Sequence, residues 1–600
     1  MSLVQPSSVR AKKAIRTVGQ NYQAWSLLAF LSIVMVGGIG WRLGYLQLAE
    51  AEKHNLQAES NRIRLIPKLP VRGNIFDRQG RLLASSRLSH SVFLWPRVAK
   101  RDDWFQTRQR LSQILTIPEA EIQKLIDKQG RNVNTLVPIA RSLTPAQITA
   151  LAELSSDRDG LEVDIEAVRN YPNKDIAAHI LGYTGEITDK ELGELRSQGY
   201  RLGDVIGQMG VEAAFEKELR GEWGGFQIEV DGSGKAIRAL GSKRARPGQD
   251  LQLTIDLNVQ KAAEAALGNR KGAIVAINPN TGEVLALVSR PSFDPNIFSS
   301  RISPKIWKEL QSKDHPFVNR ALRGFPPAST FKIVTATAGI ESGKFSPKSV
   351  LQTYGSLNIG GTVFRDWNGA GFGPLGFAGA LQWSSDTFFY QIGKGVGGPT
   401  LIDWTRKYGF GKKTGIELKS EESKGLVADD TWKQKNLKLA WSVGDTVNMS
   451  IGQGFLQASP LQVAVMFSVP ANGGYLVKPH LLKSKEPVSK WRKSLNIKPE
   501  TLKVLRQGLR AVVNAGTGKA LNSPTIPPAS GKSGTAEAPP GANHIWFGGY
   551  APSDKPEIVV VAFGEHEGKD GGGGKIAAPM VLRVMEAYFN AKKPPAKPVK

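Results

Sequence analysis

The stretch Gly324-Phe325-Pro326-Pro327-Ala328-Ser329-Thr330-Phe331-Lys332-Ile333-Val334 sets a serine and a lysine three residues apart, just behind two prolines. Proline cannot continue a helix but can precede one. Phe331, Val334 and Ala338 then recur as the apolar stripe of an amphipathic helix that closes near Gly339. Ser329 is therefore expected at a helix N-terminus, where unpaired N–H groups and the helix dipole favour developing negative charge. Positions three apart share one helix face, so the Lys332 amine can reach the Ser329 hydroxyl. A serine hydroxyl becomes a nucleophile when a base takes its proton. A lysine is such a base only where burial or a neighbouring cation lowers its pKa. The same pair can equally be a plain surface serine and lysine. It is the only Ser-x-x-Lys in the chain, and the surrounding sequence decides between the readings.

Two later segments supply candidate partners. Ser384-Ser385-Asp386 precedes the helix-like Thr387-Phe388-Phe389-Tyr390-Gln391-Ile392. It reads as a helix N-cap cluster, or as a relay in which the Ser384 hydroxyl passes a proton and Asp386 binds substrate or holds a lysine. Lys532-Ser533-Gly534-Thr535-Ala536 precedes a turn-rich segment, Pro539 to Asn543, and then two apolar strands, around Ile545–Tyr550 and Glu557–Phe563. That order predicts an antiparallel meander with Lys532 on a strand beside the site. Such an edge can pair with an extended peptide, and Gly534 lets a substrate backbone approach. Lys532, Ser533 and Thr535 can together hold a carboxylate, and the N–H groups of Ser329 and Thr535 can form an oxyanion hole. Lys413-Thr414-Gly415 has the same Lys-[Ser/Thr]-Gly form, but it runs into the polar Glu417-Leu418-Lys419-Ser420 and reads as a surface loop.

Composition bounds the rest. The chain has 600 residues, enough for two or three domains. It contains no cysteine, which excludes disulfides and thiolate metal sites. The formal net charge is +26. Lys and Arg are spread along the whole length, with no zinc-finger spacing and no basic-aromatic interleaving, which argues against nucleic acid. Arg10, Lys12, Lys13 and Arg16 precede an uncharged run from Ala24 to Trp41, which resumes after Arg42 as far as Leu48. A spanning helix needs about 20 residues, and Tyr22, Trp25, Trp41 and Tyr45 suit its interfaces. No Asp or Glu occurs before Glu50, so the positive-inside rule places the N-terminus in the cytoplasm and the remainder outside. The run is too long for the apolar core of a usual signal peptide, so an uncleaved single-pass anchor is expected despite Ala49-Glu50-Ala51.

The expected organisation is a basic cytoplasmic tail over 1–23, an anchor over 24–48, a pedestal domain over 49–248, a catalytic domain over 249–590 and a disordered tail over 591–600. Within the pedestal, a helical stalk is expected over 49–60, short strands at Leu82–Ala84 and Ser91–Leu94, and a basic hinge over Gly232–Gly248. The catalytic domain reads as a strand hairpin around Asn278-Pro279-Asn280-Thr281-Gly282, a helical insertion, three more strands and a last helix. That order gives an α+β fold, an antiparallel sheet carrying helices on its faces.

Ser-x-x-Lys, Ser-x-Asp and Lys-Ser-Gly in this order resemble the signature of penicillin-binding proteins and serine β-lactamases. Arg72-Gly73-x-Ile75-x-Asp77-Arg78-x-Gly80 resembles the membrane-proximal signature of the class B penicillin-binding proteins. Gly272–Asn296, Ser450-Ile451-Gly452-Gln453-Gly454 and Trp546–Pro552 are likewise similar to that family, and the likeness covers roughly residues 40 to 590. Asp386 stands where most of the superfamily has asparagine, which fits the elongation type better than the division type. The resemblance implies a transpeptidase domain with a helical subdomain on a pedestal of the dimerisation type, in the bacterial inner membrane. The implied function is peptidoglycan D,D-transpeptidation during cell elongation through a Ser329 acyl-enzyme, inhibited by β-lactams. Lys332, Ser384, Asp386 and Lys532 would be catalytic, with Ser533, Gly534 and Thr535 binding substrate. Ser533 replaces the commoner threonine, and either hydroxyl can donate to a carboxylate. No metal or organic cofactor is implied, and His179 and His544 are expected to be structural or surface residues. No segment resembles a glycosyltransferase, so a membrane glycosyltransferase and other elongation-complex proteins are the expected partners. A D,D-carboxypeptidase and a non-catalytic scaffold are the alternatives. An anionic Asp386 beside Lys332 favours the protonated amine while Lys532 opposes it, so the identity of the base stays open.

Overall fold

The computed structural model describes residues 10–50, 63–68, 70–128, 136–156, 160–201, 203–230, 236–299, 302 and 304–592. Most of the stalk expected over 49–60, the start of the basic tail and residues 593–600 lie outside the described residues. The chain divides into two units. One comprises Met1–Pro70 and Glu222–Arg246. Its helix Arg10–Gly44 and the turn Tyr45–Ala49 contain Tyr22–Leu48, a 27-residue stretch of mean hydropathy 1.8 that is long and apolar enough to cross a membrane. Its three-stranded antiparallel sheet joins Ile63–Lys68 to Gly224–Val230 and then to Ala236–Lys243. The basic hinge expected from Gly232 is thus a strand from Ala236 onward. Its exposed Arg238 pairs with Glu229 on the neighbouring strand at 2.6 Å, so the basic residues sit on a ladder.

The other unit comprises Val71–Gly221 and Pro247–Lys600. Its N-terminal part is built on one strand of 13 residues, Leu82–Leu94, where the sequence suggested two short ones. The polar Ser85 to His90 between the apolar ends hid its continuity. Leu161–Asn170 pairs with it along ten positions, so the ladder carries through the polar stretch. Helices Trp104–Leu115, Glu119–Lys128 and Pro145–Ser156 cover this sheet through Leu111, Ile122 and Leu151. Thr144 and Gln147 cap the third helix reciprocally.

The membrane-proximal signature is an ionic joint. Arg72 Nε donates to Glu212 at 2.6 Å, Arg169 Nε donates to its other oxygen at 2.6 Å, and Arg169 Nη1 donates to the Gly73 carbonyl at 2.8 Å. A Cβ on Gly73 would lie 2.0 Å from the Gln249 carbonyl oxygen, so the backbones touch there. Asp77 accepts the backbone N–H groups of Gln79, Arg81 and Leu257 and the Arg81 guanidinium. It thereby ties the signature to the start of helix α1 (Leu257–Leu267).

The C-terminal part is the α+β domain read from the sequence. Strands β1 (Gly272–Ile277) and β2 (Val284–Arg290) form the hairpin, and helix α2 (Lys332–Glu341) follows. Helices α3 (Phe377–Trp383), α4 (Asp386–Val396), α5 (Pro460–Ala471) and α6 (Pro499–Ala515) precede strands β3 (Ser530–Ala536), β4 (His544–Ala551) and β5 (Ile558–Gly564). Helix α7 (Gly573–Lys592) ends the domain. The sheet order is β2-β1-β5-β4-β3, antiparallel throughout. Its apolar strands are buried on both faces, between α5 on one side and α1 with α7 on the other. This leaves β3, the strand of Lys532, at the sheet edge.

Burial alone would raise the Glu212 carboxyl, but the Arg169 and Arg72 guanidiniums overcome it and hold it below the usual carboxylate range. The stability so gained is complete above the ordinary carboxylate pKa and is lost as pH falls through the lowered one. Glu212→Gln leaves the buried Arg169 guanidinium without its counter-charge, while Arg72 keeps Glu216 at 2.7 Å, with an expected loss of about 3 kcal/mol or more at neutral pH and a shallower acid-unfolding slope. Denaturant unfolding across pH tests this, and an unchanged neutral-pH midpoint would refute the joint.

Candidate active site

Ser329 lies in a tight helical turn, Ala328–Phe331, that runs into α2. Ala328 immediately before it has φ +53°, a left-handed conformation that is costly for a residue with a side chain. The turn is held from behind. Ala328 N–H donates to the Gly452 carbonyl at 2.9 Å, and Thr335 Oγ1 donates to the Ser450 carbonyl at 2.7 Å. Gly452 has φ +77°, and a Cβ there would stand 2.2 Å from the Ala328 carbonyl oxygen. The segment Ser450 to Gly454 is therefore a seat for the Ser329 turn. Ser329 itself is half-buried, and among the described residues its hydroxyl has no hydrogen-bond partner.

In Ser384-Ser385-Asp386 the helix cap and the contacts to the lysines fall on adjacent residues. Ser385 is the cap: its hydroxyl accepts the Phe388 N–H at the start of α4. Ser384 takes φ +58° and turns its hydroxyl to the lysines. Lys332, fully buried, donates to the Ser384 carbonyl at 2.7 Å and to Asp386 Oδ1 at 2.6 Å, with Ser384 Oγ 3.4 Å away. From the other side Lys532, also fully buried, donates to Ser384 Oγ at 2.7 Å and to the Ser533 carbonyl at 3.0 Å. One hydroxyl thus lies between two buried amines. Lys332 has a carboxylate partner and lies 5.5 Å from the Phe389 ring centre. Lys532 has no ion pair among the described residues. Burial first, and then the Lys332 charge, push the Lys532 amine well below the ordinary lysine range, against the opposing pull of Asp386.

Strand alternation separates the remaining expected residues. Lys532 and Gly534 share one face of β3, while Ser533 and Thr535 share the other. Ser533 Oγ pairs with Thr517 Oγ1 at 2.7 Å, and the exposed Thr535 hydroxyl accepts the Gly573 N–H at 3.4 Å. Gly534 has a packing reason that the sequence did not show. A Cβ there would meet Thr330 at 3.2 Å and Ala328 at 3.3 Å, so the glycine lets β3 lie against the Ser329 turn. Lys413, by contrast, is exposed and donates to the Lys419 carbonyl. His179 and His544 are buried, and desolvation pushes each ring down to about 4. His179 Nε2 lies 2.7 Å from the Pro316 carbonyl, and His544 Nδ1 accepts the His566 N–H.

Residues 272–586 match the penicillin binding protein transpeptidase domain, and residues 67–253 match the penicillin-binding protein dimerisation domain. The chain belongs to the penicillin-binding protein transpeptidase family. It is 34% identical to the peptidoglycan D,D-transpeptidase MrdA of Acinetobacter baumannii, over 92% of this chain and 85% of that protein. Among solved structures it resembles the complex of penicillin-binding protein PBP2 with MreC from Helicobacter pylori. There the TM-score is 0.79 at 27% identity, over 88% of this chain and 99% of that one. A second structure, described as structural coordination of polymerization and crosslinking by a peptidoglycan synthase complex, matches at TM-score 0.69 and 32% identity. It covers 96% of this chain and 99% of that one.

Two residues of this transpeptidase domain were not singled out from the sequence. Asp366, buried, accepts the Ser385 hydroxyl at 2.8 Å, the Thr387 N–H at 2.9 Å and the Thr387 hydroxyl at 3.0 Å. The next residue, Trp367, donates its indole N–H to the Trp383 carbonyl at 2.9 Å. Ser384 is thereby clamped from both sides. The only available signal was Asp366-Trp367-Asn368-Gly369, which reads as a turn. Asp366→Ala should leave two buried donors, the Ser385 hydroxyl and the Thr387 N–H, without their acceptor, since the Thr387 hydroxyl also reaches the Tyr354 carbonyl at 3.0 Å, and cost about 1–3 kcal/mol or more, while Asp366→Asn keeps an acceptor and costs less. Thermal unfolding of the two variants checks the order, and equal melting temperatures for both and for the parent would discount the clamp.

Proposed function

We propose that this chain is a peptidoglycan D,D-transpeptidase that cross-links stem peptides through an acyl-enzyme on Ser329. The observation that carries this reading is the single Ser384 hydroxyl between the Lys332–Asp386 ion pair and the depressed Lys532 amine, beside an unpaired Ser329. Curated relatives named peptidoglycan D,D-transpeptidase support the substrate. In this reading Lys332 passes its proton through Ser384 Oγ to the neutral Lys532 amine. The freed Lys332 amine then takes the Ser329 proton as Oγ attacks the carbonyl of the penultimate D-alanine. The N–H groups of Ser329 and Thr535 meet the developing oxyanion. Ser384, re-protonated from Lys532, hands the proton to the departing D-alanine nitrogen. An amine of a neighbouring stem peptide resolves the acyl-enzyme and returns Ser329 to its hydroxyl form. Ser533, Gly534 and Thr535 bind the donor peptide along the β3 edge. β-Lactams mimic the donor and acylate Ser329.

Tyr22–Leu48 anchors the chain once in the inner membrane, with the N-terminus in the cytoplasm and the catalytic domain outside. The domain bounds follow the sequence reading, with the pedestal over 49–248 and the catalytic domain over 249–590. The likeness to a PBP2 structure with MreC and to a peptidoglycan synthase complex supports elongation-complex partners, with a membrane glycosyltransferase supplying the glycan.

Incubation of the full chain with labelled penicillin tests the assignment. Wild type should take label and Ser329→Ala none; label on Ser329→Ala would overturn the nucleophile. The neutral fraction of Lys532 falls as pH drops through its lowered pKa, so the acylation rate should fall on the acid side. Lys532→Arg, charged at every pH, should lose roughly 100-fold or more, and a wild-type rate in that variant would remove Lys532 from the proton path. With lipid-linked precursor and a polymerase, cross-linked product is expected; trimmed product alone would make the enzyme a carboxypeptidase.

A further inference from the structure

The Lys413-Thr414-Gly415 motif, set aside at the active site, belongs to a second concave site. A cavity of about 330 Å³ lies between α5, the Tyr408–Thr414 loop and the hairpin of Tyr475–Val477 with Arg492–Ser494. Lys412, Lys413, Lys478, Lys490, Arg492 and Lys493 line it, and no carboxylate does among the described residues. The hairpin register sets Val477 opposite Arg492 and Leu476 opposite Lys493, and Lys478 N–H bonds the Trp491 carbonyl at 2.7 Å. Three of the cations are thus gathered by backbone pairing.

Neighbouring acids pair directly with little of this charge. Glu417 accepts the Leu481 and Leu482 N–H groups, and Glu422 accepts the Thr414 N–H and hydroxyl. Glu486 pairs with Lys490 at 2.9 Å, the one carboxylate on any of the six cations among the described residues. Lys478 and Arg492 lie only over aromatic faces, 5.6 Å from the Trp491 ring centre and 4.6 Å from that of Tyr475. Like charges crowded in a concavity repel one another and raise the local concentration of anions.

The geometry points to this cavity as a binding site for a phosphate-bearing ligand of at least two negative charges, a pyrophosphate or phosphomonoester group. The volume is that of a small-ligand cleft, which admits one compact headgroup rather than a protein segment. Lysine ammoniums act as point charges suited to phosphate oxygens, and Arg492 adds a planar fork. Tyr408 and Trp491 supply aromatic wall for the body of the ligand. The site also touches the catalytic helix, because Tyr408, which lines the cavity, shares a 2.8 Å hydrogen bond between its phenol and Thr337 Oγ1 on α2.

The test is calorimetric titration of the full chain, in zwitterionic detergent at low salt, with inorganic pyrophosphate and with short-chain phosphatidic acid. The comparison is the Lys412→Glu/Arg492→Glu variant, which alters no residue of the Ser329 site. Saturable binding of either phosphate compound, weakened tenfold or more in the variant, supports the site, and the tighter of the two identifies a free or a lipid source. Relief of repulsion should also raise the melting temperature of the unliganded variant, where a merely structural role would lower it. Three results would each overturn the proposal: undiminished binding in the variant, equal binding of sulfate at matched ionic strength, or tighter binding of an acidic peptide than of either phosphate. Penicillin labelling of the variant at the wild-type rate keeps this outcome separate from any failure at Ser329.

Discussion

Two primary amines with no exposed surface, Lys332 and Lys532, meet on the Ser384 hydroxyl, and the rest of the catalytic domain answers to that meeting. An ammonium taken out of water loses several kcal/mol of hydration unless it is paired. Two of them beside one hydroxyl cannot both be accommodated as charges by a single carboxylate. The site resolves this asymmetrically: Lys332 is paired with Asp386, and burial beside that charge drives Lys532 toward the neutral amine. A paired amine and an unpaired, depressed one are thereby held at one oxygen.

Such an arrangement needs backbone positions that chains do not adopt freely. Ala328 and Ser384 both sit at positive φ, one beside the candidate nucleophile and the other carrying the shared hydroxyl. Each is imposed by neighbours rather than by its own preference. Gly452 presses its backbone against Ala328, and Asp366 with Trp367 holds the residues on either side of Ser384. The edge position of β3 completes the set. Lys532 projects inward from a strand whose outer hydrogen-bonding side has no sheet partner among the described residues, the combination an extended peptide needs.

The parts of this site that were legible in the sequence are those where chemistry and order coincide. Ser329, Lys332, Ser384, Asp386 and Lys532 are residue types with few reasons to recur at such spacings, and the strand context separated Lys532 from Lys413. Asp366 was not legible because its partners are backbone and hydroxyl groups about 20 residues away, a relation no local pattern encodes. Thr517 was missed for the same reason. The two-residue period of the strand sets Lys532 on one face and the Ser533 and Thr535 hydroxyls on the other, a division that the linear motif does not display. In the pedestal, apolar ends suggested two strands, whereas pairing with Leu161–Asn170 makes Leu82–Leu94 continuous. The Arg72 signature was recognisable as a motif, but its meaning depended on Glu212, 140 residues away.

Asp386 decides which amine is free. A carboxylate accepting from Lys332 at 2.6 Å compensates that charge in place, so the unpaired member of the couple is Lys532. An amide at position 386 could still accept a hydrogen bond but would carry no charge. Lys332 would then lack the charged partner it has now. The two side chains are nearly equal in shape, so the exchange would leave the packing intact and remove only the charge. In the proposed proton path, the aspartate therefore bears on the pairing of Lys332 rather than on the atoms of the relay. Ser384 serves either direction, because a hydroxyl donates to one amine while accepting from the other.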